Sequence, residues 1–218
     1  MKCEVVMLTK IRYGNTNTVL LRGDSGSILI DTDYAGTMPA FYKAIKGLGI
    51  KVSDITYVLT THYHPDHMGL ISELMSQGVK LIIMESQTEH VHYSDEIFAR
   101  EPKLGFKPID ESQAQVVLFE ESRKFLGELG IEGKIISTPS HSADSISVLL
   151  DDGTCIVGDL EPLEYLEAYE DNKALKADWD ALLSAAPKRI IYAHANERTF
   201  CRQNNNPTRF NGVSIFTE

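Results

Sequence analysis

Cysteine is scarce in this 218-residue chain, and the three present, Cys3, Cys155 and Cys201, stand far apart with no C-x-x-C pair. That excludes a disulfide framework and a cysteine-built zinc site, and it makes the reducing cytoplasm the expected home. Long apolar runs are missing too: no stretch reaches membrane-spanning length, and Met1–Leu8 has neither the basic start nor the apolar core of a signal peptide. Positive charge is thin. Lys and Arg number 21 against 31 Asp and Glu, a formal net charge of −10, so the mean surface repels polyanions and anionic lipid. The nearest thing to a basic cluster is Arg198, Arg202 and Arg209, and neither nucleic acid nor membrane is an expected partner. No Pro/Gly/Ser-rich linker divides the chain and no repeat is visible, so one large domain with its own core is the simplest reading.

What is present begins as short strands. Glu4–Leu8, Thr18–Leu21 and Ser27–Ile30 read as an antiparallel meander, the last two joined by a Gly23–Gly26 turn. Phe41, Ile45 and Leu48 then fall on one helical face after Thr37-Met38-Pro39, with Gly47 and Gly49 closing the helix. Ile55–Thr60 predicts a buried strand, Met68–Met75 a helix ended by Gly78, and Val79–Met84 another strand. Residues 85–115 read as a variable cap. Strand-like pattern returns from Val116 through Arg123–Leu126, Lys134–Ser137, Ser145–Leu150 and Thr154–Val157. A helix over Ala177–Ser184 and a strand over Arg189–Tyr192 follow.

Three of the seven histidines fall within His62–His67, between a predicted strand and a predicted helix, with Asp66 among them. Any one of them would be an ordinary surface histidine. Four potential ligands crowded into one turn are better explained by a divalent cation, whose direct bonds offset the hydration they lose. Alternation in His62-Tyr63-His64 puts two imidazoles on one side of an extended segment, and the Asp66-His67 pair at the helix start points to a second position. Further ligands should then stand past the ends of other strands, and His141, Asp159 and His194 do. His90 and His92, at i and i+2 of an apparently helical segment, point to different faces and read as cap residues.

The stretch Thr61-His62-Tyr63-His64-Pro65-Asp66-His67-Met68-Gly69, followed in order by His141, Gly158-Asp159 and His194, resembles the metallo-beta-lactamase superfamily of hydrolases. Leu29–Asp33 resembles its first motif. The resemblance implies an α+β fold, a four-layer αββα sandwich with the metals at one edge, over residues 1–196, leaving 197–218 as a C-terminal extension of the same domain or a tail. Carried over by motif, His62, His64 and His141 would bind one metal, Asp66, His67 and His194 the other, and Asp159 would bridge. The cofactors implied are two divalent transition-metal ions, zinc foremost, with iron or manganese as alternatives. Water shared by the pair would be hydroxide near neutral pH and attack a polarised carbonyl or phosphoryl group. Asp66 is the catalytic candidate as well as a ligand. Asp31 is either an outer partner that orients a ligand imidazole or only a turn former.

Ser140 departs from the family pattern, which has glycine before this histidine. The bridging position holds Asp159, not cysteine, unlike the periplasmic β-lactamases, and the helical domain of glyoxalase II-like thioesterases has no room here. Asp144 reads as a loop cap or a partner of a ligand; Tyr165 reads as packing or, by similarity to quorum-quenching lactonases, as a residue over the substrate. The expected activity is hydrolysis of a small ester, lactone or thioester. The alternatives are a persulfide dioxygenase-like oxidoreductase with a single iron and a metal-dependent phosphodiesterase. A small molecule is the expected partner, and self-association into a homo-oligomer is left open.

Overall fold

The computed structural model describes residues 6–168 and 171–200. Strands β1 (Met7–Ile11), β2 (Thr18–Arg22) and β3 (Ser27–Ile30) form the expected meander, with Met7 opposite Arg22 and Ile11 opposite Thr18. The first strand lies later than predicted, and residues 1–5 are outside the described part. β4 (Tyr57–Leu59), β5 (Lys80–Met84) and β6 (Gln115–Val117) then join in parallel, giving a six-stranded sheet in sequence order. A second, five-stranded sheet runs β11-β10-β9-β8-β7, built from β7 (Gly133–Ser137), β8 (Ile146–Leu150), β9 (Thr154–Ile156), β10 (Arg189–Ile191) and β11 (Arg198–Thr199). The short β11 belongs to the stretch set apart as 197–218; residues 201–218 lie outside the description.

Side-chain alternation sorts these strands into layers. Val19, Leu21, Ile28, Ile30, Leu59 and Ile82 of the first sheet meet Ile135, Ile146, Val148 and Ile191 of the second in one buried core. Their neighbours Leu20, Leu29, Val58, Leu81 and Ile83 face the other way, onto helix α1 (Met38–Gly47) and the residues that follow it. Beyond the second sheet, Leu149, Cys155, Val157 and Ile190 pack against Leu175, Trp179 and Leu182 of a C-terminal helix, Lys173–Ser184. Helix, sheet, sheet, helix is the four-layer sandwich expected.

Two elements differ from expectation. The single helix predicted over Met68–Met75 is two short ones, α2 (Pro65–Met68) and α3 (Ile71–Met75). The break comes where Gly69 lies flat against the backbone of residues 33–35 and Leu70 donates its N–H to the Thr32 hydroxyl at 3.2 Å. The strand predicted over Arg123–Leu126 is a helix. In chain order, α4 (Asp95–Ala99) precedes it, and Ser122–Glu128 is α5. Its sequence SRKFLGE holds no β-branched residue, Phe125 and Leu126 share a buried face with Leu129, and the Ser122 hydroxyl caps the neighbouring strand by accepting from Ile135 N–H at 3.1 Å. After it come α6 (Tyr165–Ala168) and α7 (Lys173–Ser184).

Candidate metal centre

Asp31, His62, His141, Asp159 and His194 all follow the C-terminal ends of strands, β3, β4, β7, β9 and β10 in turn. Because these five strands point the same way within their sheets, the residues after them gather at one edge of the sandwich. Proline at 65 holds His64 extended (φ −70, ψ 154), so His62 and His64 alternate onto one side. One residue later the chain turns helical, which swings Asp66 and His67 to a second position.

All seven expected side chains meet there. His141 Nε2 lies 3.2 Å from His64 Nδ1, and the His62 ring stands 4.4 Å from that of His64 and 4.8 Å from that of His141. On the other side, His194 Nε2 is 3.2 Å from His67 Nε2 and 3.1 Å from Asp66 Oδ2. Asp159 stands between: Oδ2 is 3.7 Å from His141 Nε2 and 3.9 Å from His62 Nε2, while Oδ1 is 3.3 Å from His194 Nε2 and 3.4 Å from His67 Nε2.

Tautomers decide what this cluster can hold. The Thr61 hydroxyl donates to Asp31 Oδ2 at 2.9 Å, so it can only accept from His62 Nδ1, 3.2 Å away, which leaves a lone pair on His62 Nε2. The Asn15 carbonyl fixes His194 in the same way, 3.2 Å from its Nδ1. His67 Nδ1 lies 3.1 Å from Asp31 Oδ2, a contact too bent for a good hydrogen bond but strongly attractive. The inward Nε2 atoms of His62 and His194 are therefore the ones free to offer lone pairs once any added proton is lost, and His62 Nε2 and Asp159 Oδ1 are buried without a hydrogen-bond partner. Imidazole nitrogens and carboxylates turned inward on one another, ready to exchange their protons for a cation, are the donor set of a divalent transition metal, and these residues fit it.

Asp31 adopts a left-handed backbone, φ 58, and its Oδ1 accepts the Thr61 N–H at 2.6 Å. It is thus the turn former and the imidazole's outer partner at once. Asparagine tolerates the same backbone, so Asp31→Asn isolates the carboxylate: metal affinity should fall about 10- to 100-fold. Competition against a chromophoric chelator reads this; unchanged affinity would reduce Asp31 to its turn.

Protons are distributed unevenly over the metal-free cluster. Burial opposes charge on His67 most strongly, yet Asp31 and Asp159 outweigh it and raise its pKa to about 10. Asp66, through its hydrogen bond, raises His194, and the same bond holds the Asp66 carboxyl down at about 2. Burial and then the neighbouring imidazoles lower His62 and His64. Below pH 10 a cation entering beside His67 must displace a proton, so uptake there should strengthen with rising pH, by up to about tenfold per unit for one proton. Calorimetric titration at pH 7 in two buffers of different protonation heat should register proton release, and none would contradict this charge state.

Of the supporting residues, Ser140 and Asp144 are marked in the sequence, while Gln87 and Asp178 carry no sequence signal. Ser140 has no positive φ, so the turn before His141 needs no glycine; its N–H is held at 2.8 Å by Asp178 of α7. Asp144 accepts the Tyr63 N–H at 2.6 Å, which makes it a brace between the His62–His64 segment and the His141 loop. Buried Gln87 donates to Thr60 O at 2.9 Å and Asp144 O at 3.2 Å, tying the same two loops. His90 and His92 lie in turns, and His92 pairs with Asp95 at 2.8 Å. Tyr93 beside them is 57% exposed with its ring 5.4 Å from that of His64, at the mouth of the cluster. Tyr165 opens α6 and is exposed.

A family model described as the Metallo-beta-lactamase superfamily matches residues 11–194. The chain is 25% identical over 181 residues to the Beta-lactamase-like protein 2 homolog of Drosophila melanogaster, covering 83% of this chain and 59% of that protein. It is 31% identical over 138 residues to Lactamase-like protein nscB of Trichophyton equinum, covering 63% of this chain and 34% of the fungal protein. Neither relative is matched over two thirds of its own length. Among solved structures, an archaeal metallo-beta-lactamase superfamily protein from Sulfolobus tokodaii superposes with a TM-score of 0.63 at 18% identity, covering 89% of this chain and 82% of that one. A beta-lactamase from Chitinophaga pinensis gives 0.59 at 23% identity, covering 87% and 76%. At such identities the likeness is one of fold.

Proposed function

Because the chain belongs to the metallo-beta-lactamase superfamily, we propose that it is a cytoplasmic hydrolase of a small ester, lactone or thioester that uses two divalent transition-metal ions, zinc foremost. The observation that carries this reading is the division of Asp159, one carboxylate oxygen toward His62 and His141 and the other toward His67 and His194. His62, His64 and His141 would hold one ion, Asp66, His67 and His194 the other, with Asp159 shared. Such a pair supplies acidified water and a polarised carbonyl oxygen when bound.

The chain's own groups do the rest. Asp66, with its carboxyl held near 2, stays ionised throughout the physiological range, so it acts as a fixed acceptor that aligns the attacking water and lowers the site's net charge. Asp31, through Thr61 and His67, keeps the imidazoles facing inward. The Tyr93 ring gives the entrance an aromatic wall suited to an acyl chain or lactone ring. The net charge of −10 disfavours a polyanionic substrate.

Metal analysis of protein purified without chelators, combined with a panel of nitrophenyl esters, lactones, thioesters and bis-p-nitrophenyl phosphate, tests the proposal. Two ions per chain and chelator-sensitive cleavage of a carboxylic substrate are expected. One iron per chain with oxygen consumption on a persulfide would replace it by dioxygenation; cleavage of the phosphodiester alone would replace it by phosphodiesterase chemistry.

A further inference from the structure

The two halves of the centre share Asp31 and Thr60, which reach both His62 and His67, and beyond these each has its own hydrogen-bond supports. Around the Asp66 side runs the β1–β2 loop. Thr16, fully buried, donates its hydroxyl to the Asp66 carbonyl at 2.7 Å, and its N–H goes to Asp33 Oδ2 at 3.0 Å. Asn17 grips the segment carrying His194: its side-chain amide donates to Tyr192 O at 2.9 Å and Ala195 O at 3.1 Å, and its N–H to Ala193 O at 2.7 Å. Asn15 O, one residue before Thr16, is the carbonyl beside His194 Nδ1. The loop is seated tightly, since a Cβ at Gly14 would come within 2.0 Å of the Asp33 carboxylate.

The three-histidine side hangs on other residues. Gln87 and Asp144 join the Thr60–Tyr63 backbone to the loop after His141, and Asp178 holds Ser140. Among the described residues, none of the hydrogen bonds of Asn15, Thr16 or Asn17 given above reaches His62, His64 or His141.

From this separation we infer that Thr16 and Asn17 are positioning residues for the second metal position, setting the distance between Asp66 on α2 and His194 after β10 without touching the reacting atoms. The inference rests on the two-ion reading above. The physical reason is register: Asp66 and His194 come from opposite sheets, 128 residues apart in sequence, and the loop fastens both to a common anchor. Without it, each ligand keeps its own element but not its spacing from the other. A cation tolerates such loosening poorly, because bond lengths vary by only about 0.2 Å.

Cobalt(II) titration of the metal-free full chain, with bound metal counted after equilibration at fixed free cobalt, tests this directly. Wild type should take up two ions. Thr16→Val, which removes the hydroxyl while keeping the shape, and Asn17→Ala should retain the first ion at wild-type affinity and bind the second about 10- to 100-fold more weakly. Thr16→Ser should restore it. Gln87→Ala should show the opposite bias, weakening the first. A wild-type chain that takes up one ion would overturn the two-ion reading and this inference with it. Two ions bound at wild-type affinity by Thr16→Val and Asn17→Ala would overturn this inference alone, as would parallel loss of both ions. If Asn17→Ala does not fold, the Thr16 Val and Ser pair decides by itself.

Discussion

Replacing Asp159 with alanine is expected to leave a folded chain that holds less than one ion and has lost on the order of 10³-fold or more in kcat/KM, the scale of several kcal/mol of metal-assisted charge stabilisation. The reason is its place. No other side chain among the described residues faces His62, His141, His67 and His194 together. His64→Ala should be as damaging to activity but more local, since His64 meets His141 and leaves the Asp66–His194 pair intact. Metal counting separates the two variants, and circular dichroism establishes that the fold survives. Wild-type turnover in Asp159→Ala would refute the assignment of the centre.

Gly69→Ala should lower stability sharply. A Cβ there would stand 2.2 Å from Ala35 N, 2.5 Å from the Tyr34 carbonyl carbon and 2.6 Å from Asp33 O, all backbone atoms that cannot rotate away. Either α2 lifts off the 33–35 segment or that segment moves, and Asp33 is the acceptor of the Thr16 N–H. Overpacking of this kind costs about 3 kcal/mol, which for a chain of this size lowers the melting temperature by roughly 6–12 °C. Thermal melting of the metal-free protein reads it without interference from metal binding; an unchanged melt would mean that residues 33–35 yield freely.

The seven residues that gather at this edge were legible in the sequence as candidates because their chemistry is dense and their placement periodic. Four candidates within His62–His67 and three more just past strand-like runs already describe one edge of a layered sheet. The family model and the structural likeness bear out the sandwich. The supporting residues were not legible for a common physical reason. Thr16, Asn17, Gln87 and Asp178 act on main-chain groups of distant segments, and a hydrogen bond to a backbone carbonyl or N–H leaves no mark on the identity of its partner. The split between α2 and α3 escaped similarly: Gly69 fits a helix by pattern, and only the backbone it touches explains the interruption. At Arg123–Leu126 the apolar pair suited either period, and the capping hydroxyl of Ser122 comes from contact with β7.

His62, His64, Asp66 and His67 belong to the first sheet's loops, His141, Asp159 and His194 to the second's. Cations seated among them would rivet the two sheets together at one rim, while the opposite rim has the backbone hydrogen bond from Ser25 N–H to Leu129 O and apolar contact to resist shear. Stripped of its ions, the sandwich should breathe from the riveted rim first, and amide hydrogens at the ends of β4 and β10 would exchange sooner than those at their beginnings.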